Sequence, residues 1–192
     1  MNSVDGLINL ALELEENACA RIDAIRCLDF AKRYVDGAIR LDDAVIHYET
    51  IRKRQFSRVL SAISSIDKDH ELSHALDYGS GKGYLLHLLA RSGRFTSVRG
   101  IEILPELCDI AKTNLSALGD DNVSIECADA REYSSIDDID TFIMFNPFPK
   151  PAMVSVVEQI RQSFARRDRT ACIAYINNVH EECILTGLRN FT

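Results

Sequence analysis

The stretch Leu76–Tyr84, which reads LDYGSGKGY, decides the fold class of this chain. Its first residues predict a β-strand, Gly79, Gly81 and Gly83 predict a tight turn, and the apolar residues that follow predict a helix. In a doubly wound α/β sheet, such a junction faces the crevice at the carboxyl ends of the strands. The glycines let a ligand approach the backbone, and the free N–H groups at the start of the helix attract a carboxylate or a phosphate. The stretch therefore predicts a ligand-binding turn.

From residue 74 onward, short apolar runs alternate with helical patterns. Such alternation predicts parallel β-α-β units, with helices on both faces of one Rossmann-like, doubly wound sheet. The predicted strands are Ala75–Tyr78, Ser97–Ile101, Val123–Cys127, Thr141–Phe145 and Thr170–Ile176, and the predicted helices span residues 84–90, 105–117, 152–167 and 181–188.

Residues 1–69 differ from this α/β pattern, because their apolar residues recur at three- and four-residue steps. One stripe of this kind runs from Leu7 to Leu28, and a second runs from Ile51 to Ile66. Each stripe is typical of an amphipathic helix. We therefore expect an N-terminal helical extension over residues 1–69 and one α/β domain over residues 70–192.

The composition is that of an ordinary globular protein, with 192 residues, 46% hydrophobic and 27% charged. These values exclude wholesale disorder. The net charge of −7 gives no overall electrostatic footprint for nucleic acid or an anionic membrane. No apolar stretch approaches the ~20 residues of a membrane span, and the N-terminus lacks the basic region of a signal peptide, so we expect a cytoplasmic protein. Two basic clusters run against the overall charge: Arg52, Lys53, Arg54 and Arg58, and Arg166, Arg167 and Arg169.

The six cysteines form no C-x-x-C pair, and no spaced histidine pair accompanies them. A zinc site is therefore not expected. Five of the six lie in apolar segments, so we interpret them as buried thiols in a reducing compartment. They are Cys19, Cys27, Cys108, Cys127, Cys172 and Cys183.

The glycine turn can be compared with three cofactor motifs. A P-loop is excluded, because Leu76 takes the place of its first glycine and Gly83 follows Lys82 where Ser or Thr is required. The dinucleotide fingerprint G-x-G-x-x-G fits poorly, since Tyr84 occupies its last glycine position. The stretch Asp77–Gly83, DYGSGKG, closely resembles the E/D-x-G-x-G-x-G motif of class I S-adenosylmethionine-dependent methyltransferases.

Three further motifs end the next three predicted strands: Gly100-Ile101-Glu102, Glu126-Cys127-Ala128-Asp129-Ala130 and Phe145-Asn146-Pro147-Phe148-Pro149. An acidic residue at the end of the second strand can accept hydrogen bonds from the ribose hydroxyls of a nucleoside. Because the carboxyl ends of parallel strands meet at one edge of the sheet, the four motifs are expected to converge on one crevice. This convergence argues against a merely structural glycine turn.

The resemblance implies a role for each cofactor-binding residue. Gly79, Ser80, Gly81 and Gly83 would form the loop under the methionine part of S-adenosylmethionine. Asp77 would orient that loop and reach the methionine amino group, directly or through water.

For the nucleoside half, the resemblance implies that Glu102 holds the ribose and that Ile103 packs on the adenine. Asp129 and the Ala130 N–H would bind the adenine edge. The segment His47–Thr50 is similar to the family's lid over the methionine carboxylate, although Tyr48 is equally well explained as a packing aromatic.

The acceptor side is implied by the end of the fourth strand. Asn146 Oδ1 and the Pro147 carbonyl would accept the N–H bonds of an amine, as in the [N/D]-P-P-[Y/F/W] motif of amino-group methyltransferases, and Asn146 would also touch the cofactor. This sequence has Phe148 third and Pro149 fourth, so the aromatic that stacks on a flipped base is misplaced. The dipeptide alone is also explained as a simple turn.

The sequence most resembles a little-characterised bacterial branch of the family, distantly similar to the non-SET histone-lysine methyltransferases. The resemblance implies transfer of a methyl group from S-adenosylmethionine to an amine or another small nucleophile. Two alternatives stay open: a non-catalytic module that binds S-adenosylmethionine for a partner protein, and an aminopropyltransferase-like enzyme.

The family fold implies a strand order of 3-2-1-4-5, and the hairpin of strands 6 and 7 is expected to be largely absent here. The acceptor is expected to be a small molecule or a protein, nucleic acid and membrane partners are not expected, and a monomer is favoured over a dimer. No metal is expected.

Overall fold

The computed structural model describes residues 51–68, 71–145, 147–176 and 179–189. The first predicted helical stripe, the predicted lid His47–Thr50 and the predicted acceptor residue Asn146 lie outside these ranges.

The core of the structure is a sheet of five parallel strands in the order β3-β2-β1-β4-β5. This order confirms the prediction. The strands are β1 His74–Tyr78, β2 Ser97–Glu102, β3 Val123–Cys127, β4 Thr141–Phe145 and β5 Cys172–Ile176. Since β1 lies at the centre, the glycine turn that follows it leaves the middle of the carboxyl edge of the sheet.

Five helices are described: α1 Lys53–Ile66, α2 Tyr84–Arg91, α3 Pro105–Leu118, α4 Lys150–Arg166 and α5 Glu181–Gly187. Helices α1, α2 and α3 contribute to one apolar cluster, which includes Phe56, Leu86 and Val98. Helices α4 and α5 contribute to the other cluster, with Met144 and Val156 among its members. The described part of the predicted extension, α1, thus belongs to the same core as the sheet.

The connection from β3 to β4 crosses one face of the sheet without a helix. Residues 128–140 cover that face with four apolar side chains, those of Ala130, Tyr133, Ile136 and Ile139. A buried connection of this kind needs donors for its carbonyl groups. Arg169 supplies them, because its Nε donates to the Ile139 carbonyl at 2.6 Å and its Nη2 to the Ile136 carbonyl at 3.0 Å.

The arginines of the second basic cluster therefore bond to other groups of the same chain. Arg166 forms an ion pair with Asp137 at 2.8 Å, and Arg167 donates to the Asp137 carbonyl at 3.0 Å. In the first cluster, Arg54 and Arg58 are exposed.

The predicted and observed ends of the elements differ by two residues or fewer. Helix α4 begins at Lys150 rather than Ala152, because Pro151 is accommodated in its first turn. Strand β5 begins at Cys172, whose N–H donates to the Asp140 carbonyl at 2.8 Å. None of the helices in the described ranges combines the length and the hydropathy that a membrane-spanning segment needs.

Candidate functional site

The glycine turn connects β1 to α2 and is held by the neighbouring strand. Gly79 and Gly81 adopt φ angles of +73° and +55°, in the left-handed region that favours glycine. The N–H groups of Gly79 and Ser80 both donate to the Ile101 carbonyl, at 2.9 and 3.0 Å. A Cβ added to Gly79 would lie 2.7 Å from the Cβ of Pro147. The ends of β1, β2 and β4 therefore meet at this turn, as the motifs predicted.

Ser80 and Gly83 lie in the predicted loop, on the side that packs against the rest of the protein. The Ser80 hydroxyl packs over Gly100, where a Cβ would lie 2.7 Å from its oxygen, and it finds no hydrogen-bond partner within the described ranges. Gly83 faces α3, where a Cβ would meet Ala111 and Leu115 at 3.2 and 3.3 Å. Both residues fix the turn against its surroundings, and their contact with a cofactor stays a prediction.

Glu102, at the end of β2, accepts hydrogen bonds from the turn with its carboxylate. One oxygen accepts the Gly81 N–H at 3.0 Å, and the other accepts the Leu104 N–H at 2.9 Å. The side chain is buried, with 7% of it exposed. Burial raises the pKa of Glu102, whereas hydrogen bonds from the backbone of Leu104, Gly81 and Ile103 act to lower it. The carboxylate is thus fixed beside the turn before any ligand arrives.

Asp77 lies in β1 beside Glu102, so that two carboxyl groups share one buried region. Only 2% of Asp77 is exposed. Burial raises the pKa of Asp77 well above its usual range, and the negative charge of Glu102 raises it further. A pair of this kind favours a ligand that brings positive charge or hydroxyl donors, because either one compensates the buried charge.

Asp129 and Ala130 follow β3 at the same edge of the sheet. Ala130 is buried and Asp129 is partly exposed. Arg131 reaches back to Asp129, with its Nε 3.0 and 2.9 Å from the two carboxylate oxygens. These bonds hold the pKa of Asp129 below its usual range. The predicted adenine acceptor is therefore already shared with a guanidinium.

Pro147 and Phe148 follow β4. Phe148 is buried and packs edge-on against Tyr78, with their ring centroids 6.0 Å apart. It belongs to the apolar cluster under α4 and does not present an open ring face. This placement agrees with the departure from the amino-group motif that the order Phe148-Pro149 indicated. Pro147 is placed against the turn, whereas Asn146 lies outside the described residues.

Two positioning residues of the site were not predicted. Arg131 could have been suspected, because it stands two residues after Asp129 and has the opposite charge. Asn114 of α3 had no such signal. It is buried and its Nδ2 donates to the Lys82 carbonyl at 3.0 Å, which fixes the turn from below.

Comparisons with known proteins agree with this architecture. A family model described as "Methyltransferase domain" matches residues 69–186, which is more than half of the chain. No curated protein matches the sequence.

Among solved structures, a SAM-dependent O-methyltransferase from Thermotoga maritima is 19% identical, with a TM-score of 0.56 over 75% of this chain and 52% of that chain. A SAM-dependent methyltransferase from Geobacter sulfurreducens in complex with S-adenosyl-L-homocysteine is 21% identical, with a TM-score of 0.51 over 65% of this chain and 48% of that chain. At these identities the similarity shows the fold, and the chain spans about half the length of these proteins. By its family model, the chain belongs to the family described as "Methyltransferase domain", and it shares its fold with these two SAM-dependent methyltransferases.

Proposed function

We propose that this chain binds S-adenosylmethionine at the glycine turn and transfers its methyl group to an amine or another small nucleophile. One observation carries the proposal. The turn is contacted at once by Glu102 from β2, which accepts the Gly81 N–H, and by Pro147 after β4, which packs on Gly79. The residues proposed to bind the cofactor and the residue proposed to bind the acceptor would thereby meet at the same few backbone atoms.

The chemistry of the side chains fits this cofactor. S-adenosylmethionine carries an ammonium group, a sulfonium group and two ribose hydroxyls, and the turn offers the buried carboxyl groups of Asp77 and Glu102. When bound, the cofactor supplies a methyl group that the sulfonium has already activated. The protein has to supply mainly position and the exclusion of water.

Glu102 is the ribose ligand in this proposal. Each carboxylate oxygen uses one acceptor site for a backbone N–H and keeps another for a hydroxyl donor. Ile103 and Ala130 would line the adenine, and Asp129 would accept from its amino group while it remains bonded to Arg131.

Asn146 and Pro147 are the acceptor residues in this proposal. Carbonyl oxygens at this position accept the N–H bonds of an amine and leave its lone pair directed at the methyl group. The contact of Pro147 with the turn supports this assignment. A small molecule or a protein side chain is favoured over a nucleic-acid base, since Phe148 is buried and the second basic cluster is paired internally.

The first test is a calorimetric titration of the chain with S-adenosylmethionine and S-adenosylhomocysteine. We expect Glu102→Gln to weaken binding by about 1.5–3 kcal/mol, since a hydrogen bond to a charged group is lost. Asp109→Asn is the matched control, because it removes an exposed carboxylate from the neighbouring helix α3. Equal affinities for the two variants would refute the role of Glu102, and absence of binding by the unmodified chain would refute the proposal.

The second test is a screen of amines, thiols and protein acceptors with methyl-labelled cofactor. Transfer that is abolished in Asn146→Ala supports an enzyme with the acceptor site proposed here. Cofactor binding without transfer to any acceptor class would instead support a binding module that serves a partner protein. Binding of duplex DNA or of RNA with a steep salt dependence would contradict the small-nucleophile acceptor.

A further inference from the structure

Two cysteines lie close together beside the proposed nucleoside half of the site. Cys108 is in the first turn of α3 and is buried, and Cys127 is the last residue of β3 and is exposed. Cys108 Sγ donates to the Glu102 carbonyl at 3.3 Å, and Glu102 is the partner of Cys127 in the β2–β3 ladder. The Glu102 carbonyl also accepts the Ala128 N–H at 2.9 Å, so this one carbonyl group borders both cysteines. The sequence-based expectation of a buried thiol is therefore wrong for Cys127.

The two thiols differ in chemical access. Cys127 can meet a dissolved oxidant, whereas Cys108 is 1% exposed. Burial raises the pKa of Cys108, with further increases from Cys127 and Glu102 and an opposing effect of Lys112. A thiol that keeps its proton reacts slowly with peroxide, and for the same reason the later attack of Cys108 on an oxidised Cys127 is expected to be the slow step. Oxidation is therefore expected to start at Cys127, with Cys108 held in position to react second.

The other cysteines of the described ranges lack this arrangement. Cys172 is in β5 and Cys183 is in α5. Within the described ranges, no other cysteine is among the groups that shift the pKa of Cys172 or of Cys183. They serve as internal controls for any reaction that is selective for a cysteine pair.

We propose that Cys108 and Cys127 form a reversible disulfide when a hydroperoxide reaches Cys127, and that this bond regulates the cofactor site. Hydrogen peroxide first converts the Cys127 thiol to a sulfenic acid and releases one water. The Cys108 sulfur then bonds to the Cys127 sulfur, and the hydroxyl group leaves with the Cys108 proton as a second water. The two thiols lose two electrons and two protons in all, and the peroxide accepts them. A dithiol reductant reverses the step.

The regulatory part rests on the proposed function. The disulfide joins the first turn of α3 to the end of β3, and it removes the hydrogen bond from Cys108 to the Glu102 carbonyl. Glu102 and Asp129 are the proposed nucleoside ligands, and Cys127 lies opposite the first and two residues before the second. We expect the oxidised protein to bind S-adenosylhomocysteine about threefold more weakly, which corresponds to one weak hydrogen bond.

The experiment treats the full chain with hydrogen peroxide, blocks the remaining thiols by alkylation and identifies cross-linked peptides by mass spectrometry. We expect a Cys108–Cys127 peptide that dithiothreitol removes. Cys172→Ser should retain the cross-link, whereas Cys108→Ser should leave Cys127 to proceed to the sulfinic acid. Cys127→Ser changes an exposed residue and serves as the second variant if Cys108→Ser fails to fold.

A dominant cross-link of Cys127 to another cysteine, or its absence while Cys127 is oxidised, would overturn the pairing. This readout needs no cofactor, so a failure of the proposed methyltransferase function leaves it intact. Calorimetric titration of reduced and oxidised protein with S-adenosylhomocysteine tests the regulation separately. A complete disulfide with unchanged affinity would overturn the regulatory part.

Discussion

Glu102 offers the sharpest prediction, because both of its carboxylate oxygens are engaged by backbone N–H groups. Glu102→Ala leaves the donors of Gly81 and Leu104 without their partners. Each loss is worth about 1–3 kcal/mol for a buried donor, so the free energy of unfolding should fall by about 2–6 kcal/mol. Glu102→Gln keeps one acceptor oxygen and turns an amide N–H₂ toward the other donor, so we expect about half of that loss.

The measurement is urea denaturation followed by far-ultraviolet circular dichroism, without any ligand. Asp109→Ala, which removes an exposed carboxylate from the same helix that follows Glu102, should change the unfolding free energy by less than about 0.5 kcal/mol. A Glu102→Ala protein as stable as the Asp109→Ala protein would show that these carboxylate bonds do not hold the turn. Because of the stability loss, Glu102→Gln is the variant of choice for ligand titrations.

Three other predictions concern the same region. Burial raises the pKa of Asp77 above its unfolded value, so the folded state binds this proton more tightly and loses stability as pH rises through the folded pKa. In urea denaturation measured from acid to alkaline pH, the Asp77→Asn protein should not show that decline in stability. A pH profile identical to that of the unmodified protein would contradict the raised pKa. Gly79→Ala should destabilise the protein by about 1–3 kcal/mol more than Gly93→Ala. Both glycines have a positive φ, but a Cβ at Gly79 would lie 2.7 Å from a proline Cβ, whereas a Cβ at Gly93 would meet nothing within 4 Å. Equal shifts of the thermal unfolding midpoint in the two variants would exclude that contact. In an NMR titration, Arg131→Ala should raise the pKa of Asp129, because the guanidinium lowers it in the native protein. An unchanged pKa of Asp129 in this variant would show that another group lowers it.

Much of the fold was predictable because local patterns and topology agree. The apolar runs fix the strands, and the turn Leu76–Tyr84 identifies both the family and the crevice. The meeting of Gly79 with Pro147 followed from the rule that parallel strands end at one edge of the sheet.

Other features depend on contacts between residues far apart in sequence. Residues 128–140 carry no helical or strand period, and they cover the sheet only because Arg169 can donate to their carbonyl groups. The proximity of Cys108 to Cys127 requires α3 to pack on the end of β3. Periodicity within either element does not contain that information.

The central position of β1 has a consequence for the order in which the chain folds. β1 pairs with β2 and β2 with β3 through connections that close early in synthesis, whereas the second partner of β1 is β4. Its other edge therefore stays open until Thr141–Phe145 has emerged. We expect nascent chains arrested after residue 140 to show weaker amide protection in β1 than the full-length chain, and equal protection would contradict this order. Slow translation between residues 128 and 140 would prolong a state that presents the apolar strand β1 to other chains, so the route to the native sheet is most vulnerable to aggregation there.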